Sequence, residues 1–394
     1  MSNFCLYAWE GIYINPKGQY SSCCDMAPVG KFDSIRDFVN SEEMKSLRKK
    51  LLNNEQPKVC ERCWRKENVG LPSSRTNVNS SSLNNKHHTH TTEETNTIVL
   101  WDIRDTNLCN MACRMCGSFC SSMWNQEVKK NPELQQFNPV LDAKNVLKVT
   151  EPKQQEIIDT FRNNIKDVKL VYWAGGEPLI NDTHWTILQM LLDNHRADVQ
   201  LRYNTNMLKL DYKGRDAIEE WKKFTGWVGV TVSLDCIGPR AEYARHGTKW
   251  DVLEKNIDRL LKDFRENTQV SLTTSIYTID NLTQTLDWLK RKGVSNVVYS
   301  NVLYTPEYLC IDLLPDEVKQ RYIEQLKPYD NQDHGYNQVV HMLSRPVDVE
   351  LQSKLRSQFV NYTNKLDHTR NQDIGSSCPE LLHYMESWKG KTDV

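Results

Sequence analysis

Cys109-Asn-Met-Ala-Cys113-Arg-Met-Cys116 sets three thiols within eight residues, directly after the strand-like run Thr97-Ile-Val-Leu-Trp-Asp-Ile-Arg104. The cysteines therefore sit on the loop leaving a strand, where they can wrap one face of a compact inorganic core. A cubane [4Fe–4S] cluster has four irons, so three thiolates leave one iron without a protein sulfur and open to a small chelating molecule. A structural zinc site would instead close its tetrahedron with a fourth ligand, and Cys120 is at hand to supply it. The C-x3-C-x2-C spacing would arise by chance in roughly one chain in a hundred of this cysteine content. It marks a metal site and leaves the metal open.

Downstream of the motif, strand and helix patterns alternate, which predicts parallel β/α units. Strands are expected near 98–104, 168–174, 198–204, 227–234, 270–276 and 296–303, and helices near 153–165, 183–195, 213–224, 250–266 and 281–292. Six units are too few for a closed eight-stranded barrel. In β/α barrels the chemistry gathers at the carboxyl ends of the strands, and here each strand ends on polar or glycine-rich residues. The first is followed by the three cysteines and the second by Ala174-Gly-Gly-Glu-Pro178. The others end in Tyr203-Asn-Thr-Asn206, Ser233-Leu-Asp235, Thr273-Thr-Ser-Ile-Tyr277 and Ser300-Asn301. Any one of these residues alone fits a turn or cap; their joint occurrence implies a rim facing a polar ligand. Asp235 could touch substrate or cap a helix.

Upstream, Gly11-Ile-Tyr-Ile14, the turn Asn15-Pro-Lys-Gly18 and Gln19-Tyr-Ser-Ser22 predict a hairpin between Cys5 and Cys23. An amphipathic helix is expected at 33–52, followed by the knuckle Cys60-Glu-Arg-Cys63. Cys5, Cys23, Cys60 and Cys63 make a four-thiolate cage that suits zinc or an iron–sulfur cluster equally. Cys24 could replace Cys23. Residues 73–96 are rich in Ser, Asn and Thr and predict a linker or long surface loop, with His87, His88 and His90 as solvated histidines. Beyond Leu303, helices are expected from Pro315, over 349–366 and over Cys378–Trp388. Cys236, Cys310 and Cys378 have no partner at ligand spacing and read as buried.

The cysteine spacing after a first strand, with Gly175-Gly176-Glu177-Pro178 after a second, resembles the radical S-adenosylmethionine (SAM) superfamily. The resemblance implies a partial (β/α)6 TIM-like barrel over 97–305. It also implies that Cys109, Cys113 and Cys116 hold a [4Fe–4S] cluster whose open iron is chelated by SAM. Reductive cleavage of SAM would then give methionine and a 5′-deoxyadenosyl radical that abstracts hydrogen from a substrate. An electron donor such as flavodoxin or ferredoxin is implied with it. The family's aromatic residue before the last cysteine is replaced by Met115, also large and apolar, beside the adenine. Gly175, Gly176 and Glu177 correspond to the motif that meets the SAM amino group. Asn204 or Asn206 corresponds to ribose contacts, Ser233 to the strand-four serine, and Arg245 to an arginine that pairs with the SAM carboxylate, for which a planar guanidinium is suited. Residues 1–72, with Cys5-x12-Gly18-x4-Cys23 and the distant C-x2-C, resemble the twitch form of the SPASM module, which implies a second, auxiliary [4Fe–4S] cluster. In better-known members that module follows the barrel; here it precedes it. A helical extension over 306–394 completes the expected organisation.

The composition narrows the function further. At 394 residues the chain has room for one large domain and a smaller one, and its net charge of −1 gives no support to a nucleic-acid binder. No apolar run is long enough to cross a membrane. Twelve cysteines without the layout of a secretory signal predict a reducing, cytoplasmic setting and metal ligation in place of disulfides. Three functions compete: radical SAM chemistry on a peptide or protein side chain, the same chemistry on a small molecule, and a non-enzymatic zinc protein. The last has no use for the Gly-Gly-Glu-Pro segment.

Overall fold

The structure, a computed structural model, describes residues 2–68, 70–81, 83, 92–95, 97–137, 146–330 and 334–389. Its strands are β1 (Gly11–Ile14), β2 (Tyr20–Ser21), β3 (Leu100–Ile103), β4 (Ala112–Cys113), β5 (Leu170–Trp173) and β6 (Gln200–Thr205). They continue with β7 (Asp211–Tyr212), β8 (Arg215–Asp216), β9 (Val228–Ser233), β10 (Arg245–His246), β11 (Thr268–Thr274) and β12 (Asn296–Val302). All six strands predicted for the β/α units are present, as β3, β5, β6, β9, β11 and β12. The fold is α/β, and the pairings among these strands are parallel. It is consistent with the partial barrel expected from the sequence. The chain divides into two compact units: Met1–Leu108, Val146–Asn204 and Asp211–Gly229 form one, and Cys109–Asn145, Thr205–Leu210 and Val230–Val394 the other.

In the first unit the strands run β2-β1-β3-β5-β6. β1 pairs antiparallel with β2, as the hairpin pattern predicts, and also parallel with β3, from Gly11 opposite Leu100 to Ile14 opposite Ile103. That second pairing was not foreseen, and it makes the amino-terminal hairpin part of the same sheet. Side chains alternate across the sheet. On one face Trp101 meets Phe161 edge-on at 5.0 Å, and Trp173 meets His184 at 4.9 Å, which buries the helices Glu151–Asn164 and Asp182–Asp193. On the other, Leu100 and Leu170 pack with Leu6 and Val78.

The second unit contains β9 from Val230 onward, β11 and β12, in that order. The helix Trp250–Phe264 buries Leu253, Ile257, Leu260 and Leu261, a helical stripe. Beyond β12 come the helices Asp316–Leu326, His334–Leu343, Val349–Arg370, Ile374–Ser377 and Pro379–Lys389. Phe359 and Trp388, with ring centroids 6.0 Å apart, join the third of these to the last.

Three predicted elements differ. The helix expected at 33–52 is two, Ile35–Val39 and Glu42–Leu52, because Ser41 caps the second by accepting from Met44 N at 3.2 Å. The helix expected at 213–224 is reduced to Ala217–Trp221 by the small hairpin β7–β8, which turns on Lys213 and Gly214, both at positive φ. The expected loop from Ser73 begins as the helix Ser74–Ser80, fixed by a reciprocal capping box between Ser73 and Thr76. His87, His88 and His90 lie outside the described residues. Among the described residues, no helix is long and apolar enough to cross a membrane.

Candidate functional site

The three-cysteine loop leaves β3 and is held from two sides within the second unit. The helix Ser122–Lys130, not foreseen from the sequence, supplies the first support. Ser122 Oγ accepts from Cys109 N at 3.2 Å, Ser121 Oγ donates to the Met111 carbonyl at 2.5 Å, and Trp124 Nε1 donates to the Cys113 carbonyl at 2.7 Å. Ser121 and Ser122 ahead of Trp124 and Val128 carried a cap-and-stripe signal that would have revealed it. The second support is the long helix Val349–Arg370. Arg114, between two of the cysteines, is fully buried and pairs with Asp367 at 2.5 Å, and Tyr362 Oη donates to the Arg114 carbonyl at 2.7 Å. The loop backbone therefore has little freedom between Cys109 and Cys116.

β4 and β10 pair antiparallel, with Arg245 directly opposite Cys113. Arg245 Nη1 donates to Asp235 Oδ2 at 2.6 Å, and Asp235 Oδ1 accepts from Thr273 N at 2.7 Å. Asp235 holds a positive φ of 70°. Its carboxylate is thus engaged with Arg245 and a backbone amide and does not cap a helix. Burial works against the Arg245 cation, and Cys113 and Asp235 outweigh it, so its pKa is held above the ordinary value. Burial pushes the Cys113 thiol up to about 12 against the pull of Arg245, and the neighbouring Cys120 raises Cys116. Arg245 Nε is buried with no hydrogen-bond partner. A buried donor left unpaired is costly, so this nitrogen marks a place where an acceptor belongs. Met115 and Ser233 are half-buried. Asn206 is committed: its Nδ2 donates to Asn110 Oδ1 at 2.8 Å and its Oδ1 accepts from Leu208 N at 3.0 Å.

In the first unit the Gly-Gly-Glu segment follows β5. Gly175 has φ +80°, and a Cβ there would lie 2.8 Å from Arg104 Cβ; one on Gly176 would lie 2.2 Å from the Leu108 carbonyl oxygen. Glu177 N donates to that same carbonyl at 2.7 Å. The close approach these glycines permit is therefore, first, that of the chain leading into Cys109. Glu177 is buried, and its Oε1 accepts from Leu179 N at 3.1 Å. Asn204 is half-buried and makes no side-chain hydrogen bond among the described residues.

Also in the first unit, Cys5, Cys23, Cys60 and Cys63 line one cavity, whose remaining wall includes Met26, Leu47, Leu51 and Trp64. Cys24, exposed, is not among its lining residues, so Cys23 is the member of the pair that faces the other three. Burial and the facing Cys60 push the Cys5 thiol up to about 12; burial and Cys63 do the same to Cys60, against Arg75. Four cysteine side chains around a largely apolar hollow suit a soft, sulfur-liganded metal core, which takes its ligands as thiolates.

A model described as the radical SAM superfamily matches residues 103–308, just over half of the chain, and one described as SPASM, an iron–sulfur cluster-binding domain, matches residues 5–64. No curated protein matches. Among solved structures, one described as native anSMEcpe with bound AdoMet shares 14% identity over 57% of this chain and 58% of that one, with a TM-score of 0.37. Another, native anSMEcpe with bound AdoMet and a Cp18Cys peptide, shares 14% over 59% and 60%, also at 0.37. The chain thus spans under two thirds of the length of either. The first family brings a [4Fe–4S] cluster with SAM, and the second auxiliary iron–sulfur clusters. With its three-cysteine loop, its glycine-rich strand end and this match, the chain belongs to the radical SAM superfamily.

Proposed function

We propose that this protein is a radical SAM oxidoreductase of the maturase type that abstracts hydrogen from a peptide or protein side chain. The observation that carries the reading is the buried, unpartnered Nε of Arg245, directly across the β4–β10 pair from Cys113. Cys109, Cys113 and Cys116 would hold the [4Fe–4S] cluster, leaving one iron for SAM. Bound there, cluster and SAM supply reductive cleavage to methionine and a 5′-deoxyadenosyl radical.

The chain's own residues bind and orient. Arg245 offers its free edge to the SAM carboxylate, and Asp235 keeps the guanidinium turned by holding Nη1. Glu177, with Gly175 and Gly176, would meet the amino group, Met115 would pack beside the adenine, and Ser233 would contribute a hydroxyl. Of the two asparagines, Asn204 has its amide free for the ribose hydroxyls, whereas Asn206 is engaged with Asn110. Cys5, Cys23, Cys60 and Cys63 would bind the auxiliary cluster with every iron ligated, suited to take an electron from the oxidised substrate. A small redox protein such as flavodoxin or ferredoxin would supply the first electron.

The test is anaerobic incubation of reconstituted protein with SAM and a strong reductant. About eight irons per chain are expected, falling to about four when Cys109, Cys113 and Cys116 are replaced together by Ala. Methionine and 5′-deoxyadenosine are the expected products, and any single replacement among the three should abolish them. Iron content unchanged in the triple variant, or S-adenosylhomocysteine as sole product, would overturn the reading.

A further inference from the structure

The sheet of the first unit carries a polar row that the reading above does not use. Tyr13 lies opposite Asp102, Asp102 opposite Tyr172, and Tyr172 opposite Arg202, one residue from each of β1, β3, β5 and β6. Residues in cross-strand register leave the sheet on the same face. That face borders a cavity of about 180 Å³ with Leu100 and Leu170 as apolar lining and Tyr7, Asp102, Tyr172 and Arg202 among its polar walls. An engineered apolar cavity of about 150 Å³ accepts benzene, so the space admits one side-chain-sized group and not a whole peptide.

The charges in this wall do not cancel. Asp102 is already neutralised by Arg104 through two hydrogen bonds, Nε to Oδ1 at 2.8 Å and Nη2 to Oδ2 at 2.9 Å. Arg202 is exposed and has neither an ion pair nor a hydrogen bond among the described residues; its guanidinium lies 5.3 Å from the Tyr172 ring, which Arg104 also approaches, at 5.4 Å. The hydroxyls of Tyr7 and Tyr172 likewise have no hydrogen-bond partner among the described residues. The wall thus offers one uncompensated positive charge and three sets of unspent donors over an apolar lining. A carboxylate matches a single guanidinium in charge and in planar geometry. A phosphate dianion would leave one negative charge uncompensated beside Asp102.

We propose that this cavity binds a carboxylate-bearing group through Arg202, with Tyr7 and Tyr172 as auxiliary donors, and that the group is the acidic end of the substrate. The substrate assignment rests on the radical SAM reading; the carboxylate site does not. Tyr7, Ser22 and Cys23 line both this cavity and the four-cysteine cavity, so one of the auxiliary cysteines borders the carboxylate cavity directly. The acid would come from a Glu or Asp of a peptide or from a free small acid.

The test titrates the reconstituted full-length protein by calorimetry with Ac-Ala-Glu-Ala-NH2, Ac-Ala-Gln-Ala-NH2 and propionate. The glutamyl peptide should bind about tenfold or more tightly than the glutaminyl one. Arg202→Gln should erase that gap, and Arg202→Lys should keep part of it. Arg202 is exposed and touches little, so both variants should fold, which circular dichroism checks. Propionate binding as tightly as the glutamyl peptide would uphold the site for free acids, and a glutamyl preference over propionate would uphold it for acidic peptides. Equal binding of the two peptides without propionate binding, or a gap that survives Arg202→Gln, would overturn the proposal. SAM cleavage by the same wild-type sample separates the two readings. Cleavage without acid preference sinks this site alone, and acid preference without cleavage sinks the function alone.

Discussion

Arg245 and Asp235 form an ion pair with side chains only 12% and 2% exposed. Removing one partner of such a pair strands the other charge. Asp235→Ala should therefore destabilise the protein by about 3–5 kcal/mol, read from chemical unfolding of cluster-free protein. A loss below 1 kcal/mol would show that water reaches Arg245. Gly176→Ala tests a different force. The new Cβ would sit 2.2 Å from the Leu108 carbonyl oxygen, so the backbone must shift, at about 1–3 kcal/mol by the same measurement. Gly214→Ala, at φ +80° with nothing within 4 Å, measures by contrast the cost of a left-handed backbone without a clash, a cost Gly176 does not carry. At this scale the gathering of Cys5, Cys23, Cys60 and Cys63 around one cavity, and the close approach at Gly175 and Gly176, were legible in the sequence from spacing alone. The choice of Cys23 over Cys24 was not, since adjacent residues differ in direction and not in kind. Nor was the engagement of Asn206, whose partner Asn110 is distant in sequence.

The helix Ser74–Ser80 is short, and its cap matters in proportion. Ser73 Oγ accepts from Thr76 N at 3.1 Å, while Thr76 Oγ1 accepts from Ser73 N at 2.8 Å. Ser73→Ala should cost about 1 kcal/mol, and Ser73→Asn should lose less, its amide oxygen accepting from Thr76 N and its NH2 donating to Glu67; equal losses in both would show that the cap is not what holds the helix. The six strands of the β/α units were legible because each is a run of Val, Leu, Tyr and Trp bounded by polar residues. The elements that escaped are short ones. Leu6–Glu10 and Gly238–Ala244 each span fewer than three turns, too few for a period to stand out. The pairing of β1 with β3 escaped for another reason: no local pattern tells a hairpin strand which second neighbour it will take.

Across the molecule, acid should be the weak side of the stability profile. Burial depresses the His184 pKa to about 3, and His246 is lowered to about 4 by burial and Arg370. In the unfolded chain both return to about 6.5. Between those values the unfolded state binds more protons, so stability is full above pH 6.5 and falls as pH drops toward 3. For the fully buried His184 the slope should approach about 1.4 kcal/mol per pH unit. His184→Phe should flatten the urea midpoint between pH 7 and 5, and an unchanged slope would place the acid response elsewhere. The support of the three-cysteine loop bears on something else, the order in which the protein is made. Arg114 and its partner Asp367 are 253 residues apart, and Tyr362 reaches back 248 residues to the same loop. At about 5–20 residues per second, a ribosome exposes the cysteines roughly 12–50 seconds before their buttress exists. The four-cysteine pocket, drawn from Cys5 to Cys63, is complete in sequence long before that. A chain ending before Val349 should therefore load iron at the amino-terminal set and fail to retain it at Cys109, Cys113 and Cys116, which makes loading of the second site a step that waits for the finished chain.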